Sequence, residues 1–157
     1  MREVVERVDD VRLLVVGRTV DVEEYKGFEK LVVANGLQEK IVCCGVQNDM
    51  QRFYRNSDML VMTSPFEGFP NVMAEAMSCS LPIVMYALPY LELVQGNDGV
   101  CSVPQRDTHM AAQKIIEILT HDEIRYSMGR ASREAIEPYL ERDIGKDWME
   151  AFNSIEV

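Results

Sequence analysis

Met59-Leu60-Val61-Met62-Thr63-Ser64-Pro65-Phe66-Glu67-Gly68-Phe69-Pro70-Asn71-Val72-Met73-Ala74-Glu75 reads as three pieces in succession. The apolar run at its start reads as a buried strand. Ser64-Pro65 and Gly68-Phe69-Pro70 then form a Gly/Pro-flanked turn around Glu67. A helix opens near Pro70, in a first turn where the missing N–H costs nothing, and it carries Glu75. The two carboxylates therefore straddle a strand-to-helix junction. In open α/β sheets that junction is where ligands bind.

Short apolar runs alternate with helical stretches on both sides of this junction. Strands are expected at 11–16, 40–44, 59–63, 82–86 and 100–103. The first four are near-continuous apolar runs, the pattern of parallel strands covered on both faces. One helix is expected at 23–35, with Phe28, Leu31 and Val32 on its apolar face and Gly36 as its C-terminal cap. Others are expected at 49–56, with Met50, Phe53 and Tyr54 on one face, at 70–80, and in a short form at 89–94. Asp107 caps a long amphipathic helix. The next spans 122–136 and ends before Pro138. The last spans 142–155 and carries Trp148, Met149 and Phe152. This alternation predicts a Rossmann-like, doubly wound parallel sheet in three α/β/α layers. Residues 2–8 read as the tail of a helix with no strand before it. The expectation is one domain over 1–157, cut on its N-terminal side from something longer.

The bulk numbers agree with one domain. Of 157 residues, 47% are hydrophobic and 27% charged. A net charge of −10, from 16 basic and 26 acidic residues, argues against a nucleic-acid partner. No apolar run approaches the roughly 20 residues a membrane helix needs. The charged first ten residues lack an apolar h-region and do not read as a signal peptide. Cys43, Cys44, Cys79 and Cys101 show no ligand spacing and are expected to be buried free thiols in a reducing cytoplasm. His109 and His121 have no metal spacing either, so no metal site is expected.

An ionised carboxylate is an acceptor-only group with two oxygens, suited to the adjacent hydroxyls of a ribose or a hexose. That is the chemistry offered by Glu67 and Glu75. The N–H groups of Gly68, Phe69, Asn71 and Val72 would be free in the first helical turn and could meet a phosphate or sugar oxygen. Pro70 contributes none. Gly68 also lets the backbone pass close to a ligand. Gly17-Arg18 ends one apolar run and could approach a phosphate. Gly45-Val46 ends another and could offer backbone to a base. For each, the plain alternative is a solvated helix residue or an ordinary turn. Glu92 stands in the first turn of the short helix, as a ligand or simply a first-turn acid. A flavodoxin-like binding or regulatory module is the alternative class. It fits poorly, since Asp58 and Asp9-Asp10 precede their strands rather than end them.

The motif set resembles one family. The strand-glycine turns at Gly17 and Gly45, Tyr54-Arg55-Asn56-Ser57-Asp58, the Glu67-to-Glu75 segment with Ala76-Met77, and Leu81-Pro82-Ile83-Val84 are together similar to the C-terminal domain of retaining glycosyltransferases of the GT-B fold, family 4, also called glycosyl transferases group 1. The resemblance covers nearly the whole chain. It implies one half of a two-domain enzyme with the active cleft between Rossmann-like halves. This half would bind a nucleotide-sugar donor, UDP- or GDP-linked. It implies that Glu75 holds the ribose hydroxyls and that Glu67 contacts the donor sugar near its reacting carbon, as the catalytic glutamate. The turn from Gly68 through Phe69, Pro70 and Asn71 to Val72 would touch sugar and phosphate, and Gly45-Val46 would meet the base. The donor is a substrate; no metal or other cofactor is implied. The acceptor would be a saccharide or a lipid-linked molecule, in cell-surface polysaccharide synthesis. The location implied is the cytoplasm, with peripheral attachment of the full-length protein to the inner membrane face as a variant.

Three departures bear on this. The family places an Arg and a Lys for the diphosphate upstream of the 11–16 strand, and Arg18 is not their equivalent by position. Pro70 stands where the family has a glycine. Leu88-Pro89-Tyr90 replaces a Gly-Gly turn, leaving Glu92 in the family's glutamate position. A transfer needs positioned cations or N–H dipoles for the leaving diphosphate. The expectation is therefore a donor-gripping half that is inactive by itself, with a degenerate, non-catalytic subunit as a further alternative.

Overall fold

All five expected strands form, and every pairing among them is parallel. The computed structural model describes residues 1–18 and 21–154. Thr19, Val20 and the expected helix end at Ile155 lie outside the described residues. In order, the elements are α1 Arg2–Val5, β1 Leu13–Val16, α2 Val22–Ala34, β2 Ile41–Gly45, α3 Met50–Arg55, β3 Leu60–Met62, α4 Asn71–Ser78 and β4 Ile83–Tyr86. A 3-10 turn Glu92–Val94 follows, then β5 Val100–Val103, α5 Thr108–Thr120, α6 Asp122–Leu140 and α7 Ile144–Asn153.

The expected single sheet is divided. β1 pairs with β2, while β3, β4 and β5 form a separate sheet in that order. Burial divides the same way. β4 is the centre of its sheet and its first three residues are buried. Met73 and Met77 of α4, Ile83 and Met85 of β4, and Ile136 of α6 pack into one apolar cluster. The expectation of cover on both faces fails for β1 and β2. Leu14, Val15 and Val42 remain exposed on them, and α2 buries no residue, with Leu31 65% exposed. Strand composition reports what a strand can bury; among the described residues nothing supplies that cover.

Local chemistry sets the helix ends. Asp21, Asp49, Asp107 and Asp143 each accept backbone N–H bonds as N-caps. Gly36, at φ +64°, closes α2 as expected. Pro138 does not end its helix; α6 runs through it to Leu140. The proline removes one bond to the carbonyl of Glu134, which is exposed and open to water. Buried Ile136 and half-buried Tyr139 hold that last turn against the core. Nor are the thiols buried: Cys43 is exposed and the other three are half-buried. Cys43 sits on β2, whose face is uncovered.

Candidate functional site

Two chain turns meet at the carboxyl ends of β1 and β2. The N–H of Gly17 donates to the carbonyl of Gly45 at 2.9 Å, and the register slips by one residue there, so that Val16 lies beside Gly45. Gly45 has φ +62° and Gly17 φ +144°, values that favour glycine at both turns. The two strand-glycine turns are thus one structural unit.

This unit forms one wall of a pocket of about 400 Å³. Gly17, Arg18, Val46 and Gln47 line that wall; Val72 and Glu75 of α4, with Met50 and Tyr54 of α3, line the other. Five of the residues singled out from sequence therefore converge: Gly17, Arg18, Val46, Val72 and Glu75. Gly45 underpins them. Among the described residues that line the pocket, Arg18 is the one cation and Glu75 the one carboxylate.

α4 is well placed to present N–H groups here. Its N-cap is Pro70, so the helix starts one residue later than expected from the sequence, and no side chain caps it. The N–H groups of Met73 and Ala74 already donate to the Pro70 carbonyl, at 2.9 and 3.2 Å. Those of Gly68, Phe69, Asn71 and Val72 find no protein acceptor among the described residues. A helix N-terminus in that state favours an acceptor or an anion.

The remaining sequence candidates lie elsewhere. Glu67 is half-buried in the turn before α4, and its N–H donates to the Tyr90 hydroxyl at 3.1 Å. Phe66 stacks on the Tyr90 ring. Phe69 lines a second, more apolar groove of about 590 Å³, shared with Ile136, Tyr139 and Trp148. Glu92 is exposed and faces Tyr139, whose phenol is pushed up by burial and then by the Glu92 carboxylate. Glu92 does not line the pocket that holds Glu75. Among the described residues no three His, Cys, Asp or Glu side chains gather as metal ligands.

Sequence reasoning missed Tyr54. It placed this side chain on the apolar face of its helix, and the ring does pack against Ala76 and Leu81. Its hydroxyl, however, donates to Oε2 of Glu75 at 2.8 Å. A tyrosine on an otherwise apolar face has a polar tip that needs a partner, and that was the available signal. Burial, the bond to Glu75 and that carboxylate's charge together push the Tyr54 phenol well above its usual range. It remains a donor at every physiological pH.

The sequence model of the family described as "Glycosyl transferases group 1" matches residues 1–121. The chain belongs to this family. Among curated relatives, it is 28% identical over 130 residues to the N-acetyl-alpha-D-glucosaminyl L-malate synthase of Bacillus anthracis, covering 81% of this chain and 33% of that protein. The chain thus spans about a third of that relative's length. Among solved structures, TarM of S. aureus, crystallised with UDP, superposes with a TM-score of 0.85 at 24% identity, covering 98% of this chain and 31% of that one. The C-terminal domain of the group 1 protein LpcC from Francisella tularensis gives 0.74 at 20% identity, covering 86% of this chain and 72% of that one. The group 1 chain has the Rossmann-like α/β layout of GT-B glycosyltransferases. None of its described helices is long and apolar enough to cross a membrane.

Proposed function

We propose that this chain is the donor-binding half of a retaining glycosyltransferase that moves a hexose from a UDP- or GDP-sugar to a saccharide or lipid-linked acceptor. The observation that carries this is the convergence of Glu75, Arg18 and the uncapped start of α4 on one pocket at the carboxyl ends of parallel strands. Glu75 accepts from the ribose hydroxyls. The Gly17–Gly45 unit lends backbone to the base side. The free N–H groups of Gly68 to Val72 meet the sugar and phosphate oxygens. Glu67 lies one turn ahead, at the donor sugar's reacting carbon. The UDP bound to TarM fits the same class of donor.

The transfer is proposed to need no metal. Cations from outside these 157 residues would neutralise the leaving diphosphate, with the α4 N–H groups assisting. The divided sheet supports a further strand. A doubly wound sheet runs 3-2-1-4-5-6, and β2-β1 with β3-β4-β5 match the two flanks of that order. In this reading the inner strand and its helix come from upstream sequence and bring the expected Arg and Lys. A facing Rossmann-like domain completes the cleft. The setting proposed is cytoplasmic assembly of surface polysaccharide, the full-length protein attaching peripherally to the inner membrane face where its acceptor is lipid-linked.

The degenerate-subunit alternative keeps the same pocket and loses the transfer. Calorimetric titration of the full-length protein with UDP-hexoses and GDP-hexoses, followed by NMR of the product anomer, decides between them. Submillimolar donor binding with a product of retained configuration is the expected result. No binding of either donor, or a product of inverted configuration, overturns it.

A further inference from the structure

The Glu75 carboxylate is exposed at the pocket, yet it is not a freely swinging side chain. Tyr54 lies across from it on α3 and is only 5% exposed. Tyr54 packs in one buried cluster with Ala76 and Leu81, with Met50, Leu60 and Cys79 packed against it. Only the hydroxyl reaches the polar side, where it donates to Oε2 of Glu75 at 2.8 Å. Among the described residues this is the one hydrogen bond to that carboxylate.

A glutamate on a helix surface has several rotatable bonds, and fixing them on ligand binding costs entropy. A bond from a buried, immobile phenol removes much of that cost beforehand. It also spends one carboxylate oxygen on the protein and leaves the other for the ligand.

We propose that Tyr54 is a positioning residue for the nucleoside: its hydroxyl holds Oε2 of Glu75 so that Oε1 is presented to a ribose hydroxyl of the donor. This rests on the reading of Glu75 given above as the ribose acceptor. It adds that discrimination between ribose and deoxyribose depends on a side chain that never touches the ligand. Tyr54 acts only through Glu75, so its effect disappears where Glu75 is absent.

The test uses the full-length protein with Tyr54→Phe, Glu75→Ala and the double variant. Each is assayed for donor KM and kcat, and for binding of UDP and GDP against their 2′-deoxy forms. Tyr54→Phe keeps the packed ring and removes only the donor. It is expected to raise the donor KM about 3- to 10-fold, the range of one ordinary hydrogen bond, with kcat within about twofold. It should also erase most of the preference for the ribose form. The double variant should bind as Glu75→Ala does. An unchanged KM and unchanged ribose preference in Tyr54→Phe, with Glu75→Ala impaired, overturns the positioning role alone. An equal loss from Tyr54→Phe on the Glu75→Ala background also overturns it, because the effect is then packing. Unimpaired donor binding by Glu75→Ala sinks the ribose reading and the proposal with it.

Discussion

The hydroxyl of Tyr90 accepts the backbone N–H of Glu67 at 3.1 Å, while its ring stacks on Phe66 with centroids 5.9 Å apart. Tyr90 belongs to the segment that replaces the family's Gly-Gly turn. The departure therefore does more than remove flexibility: it ties the loop after β4 to the turn before α4. In Tyr90→Phe the stack survives and the bond is lost. A partly exposed hydrogen bond is worth about 0.5–1.5 kcal/mol. Because the bond holds backbone beside the proposed catalytic glutamate, steady-state kinetics should show kcat down about 2- to 10-fold with donor KM little changed. A change confined to KM would place the tie outside the reacting centre.

Glu67 makes no side-chain hydrogen bond or ion pair among the described residues, so its removal should cost little stability. Glu67→Gln keeps its size and loses its charge. Transfer by the full-length protein is expected to fall at least about 100-fold, in line with loss of one electrostatic contact to a transition state. The melting temperature should move by less than about 2 °C, as for a surface change. A variant as active as its parent would remove Glu67 from the chemistry.

How much of this the sequence disclosed follows the range of the interactions. The five strands and the cap at Asp107 are local features, legible in runs such as Ile83-Val84-Met85. That Gly17, Arg18, Val46, Val72 and Glu75 stand beyond strand ends was legible too, while their lining of one pocket is visible only in the structure. What stayed hidden is long-range. Tyr54 and Glu75 are 21 residues apart, and nothing local announces their bond. The division of the sheet is a question of which strand edges meet, to which composition is blind. The helix through Pro138 persists because packing at Ile136 outweighs one lost backbone bond.

Alkaline conditions should weaken the fold in a way that Tyr54 makes visible. The phenol of Tyr54 and the thiol of Cys101 both keep their protons above their usual values of 10.0 and 9.0, burial being the first cause for each. An acid whose folded value is raised ionises first in the unfolded chain. Its contribution is therefore fully present below the unfolded value and is lost progressively as pH rises from there through the higher folded value. Urea unfolding should give a stability that is level up to about pH 8.5 and declines above about pH 9. Tyr54→Phe should flatten the part of the decline above pH 10. Identical curves for parent and variant between pH 9 and 11 would contradict the assignment.

Two helical glycines should respond to alanine with opposite signs. Gly129 of α6 faces the chain where it leaves α4, and a Cβ built there would lie 2.3 Å from the Ser80 carbonyl oxygen. Ser80 itself sits at φ +59°, so the chain there has little room to yield. The contact is backbone against backbone, and α6 must shift from the core to relieve it. Gly129→Ala should cost about 1–3 kcal/mol, the range for overpacking. That lowers the melting temperature by roughly 3–10 °C for a domain of this size. Gly27 lies inside α2 with nothing within 4 Å of its would-be Cβ. There alanine only restricts the unfolded chain and favours the helix, so Gly27→Ala should gain about 0.5–1 kcal/mol. Thermal unfolding of the two variants side by side is the measurement. If Gly129→Ala fails to destabilise, α6 does not rest on Ser80 as described; if Gly27→Ala destabilises, the helix-propensity argument for α2 fails.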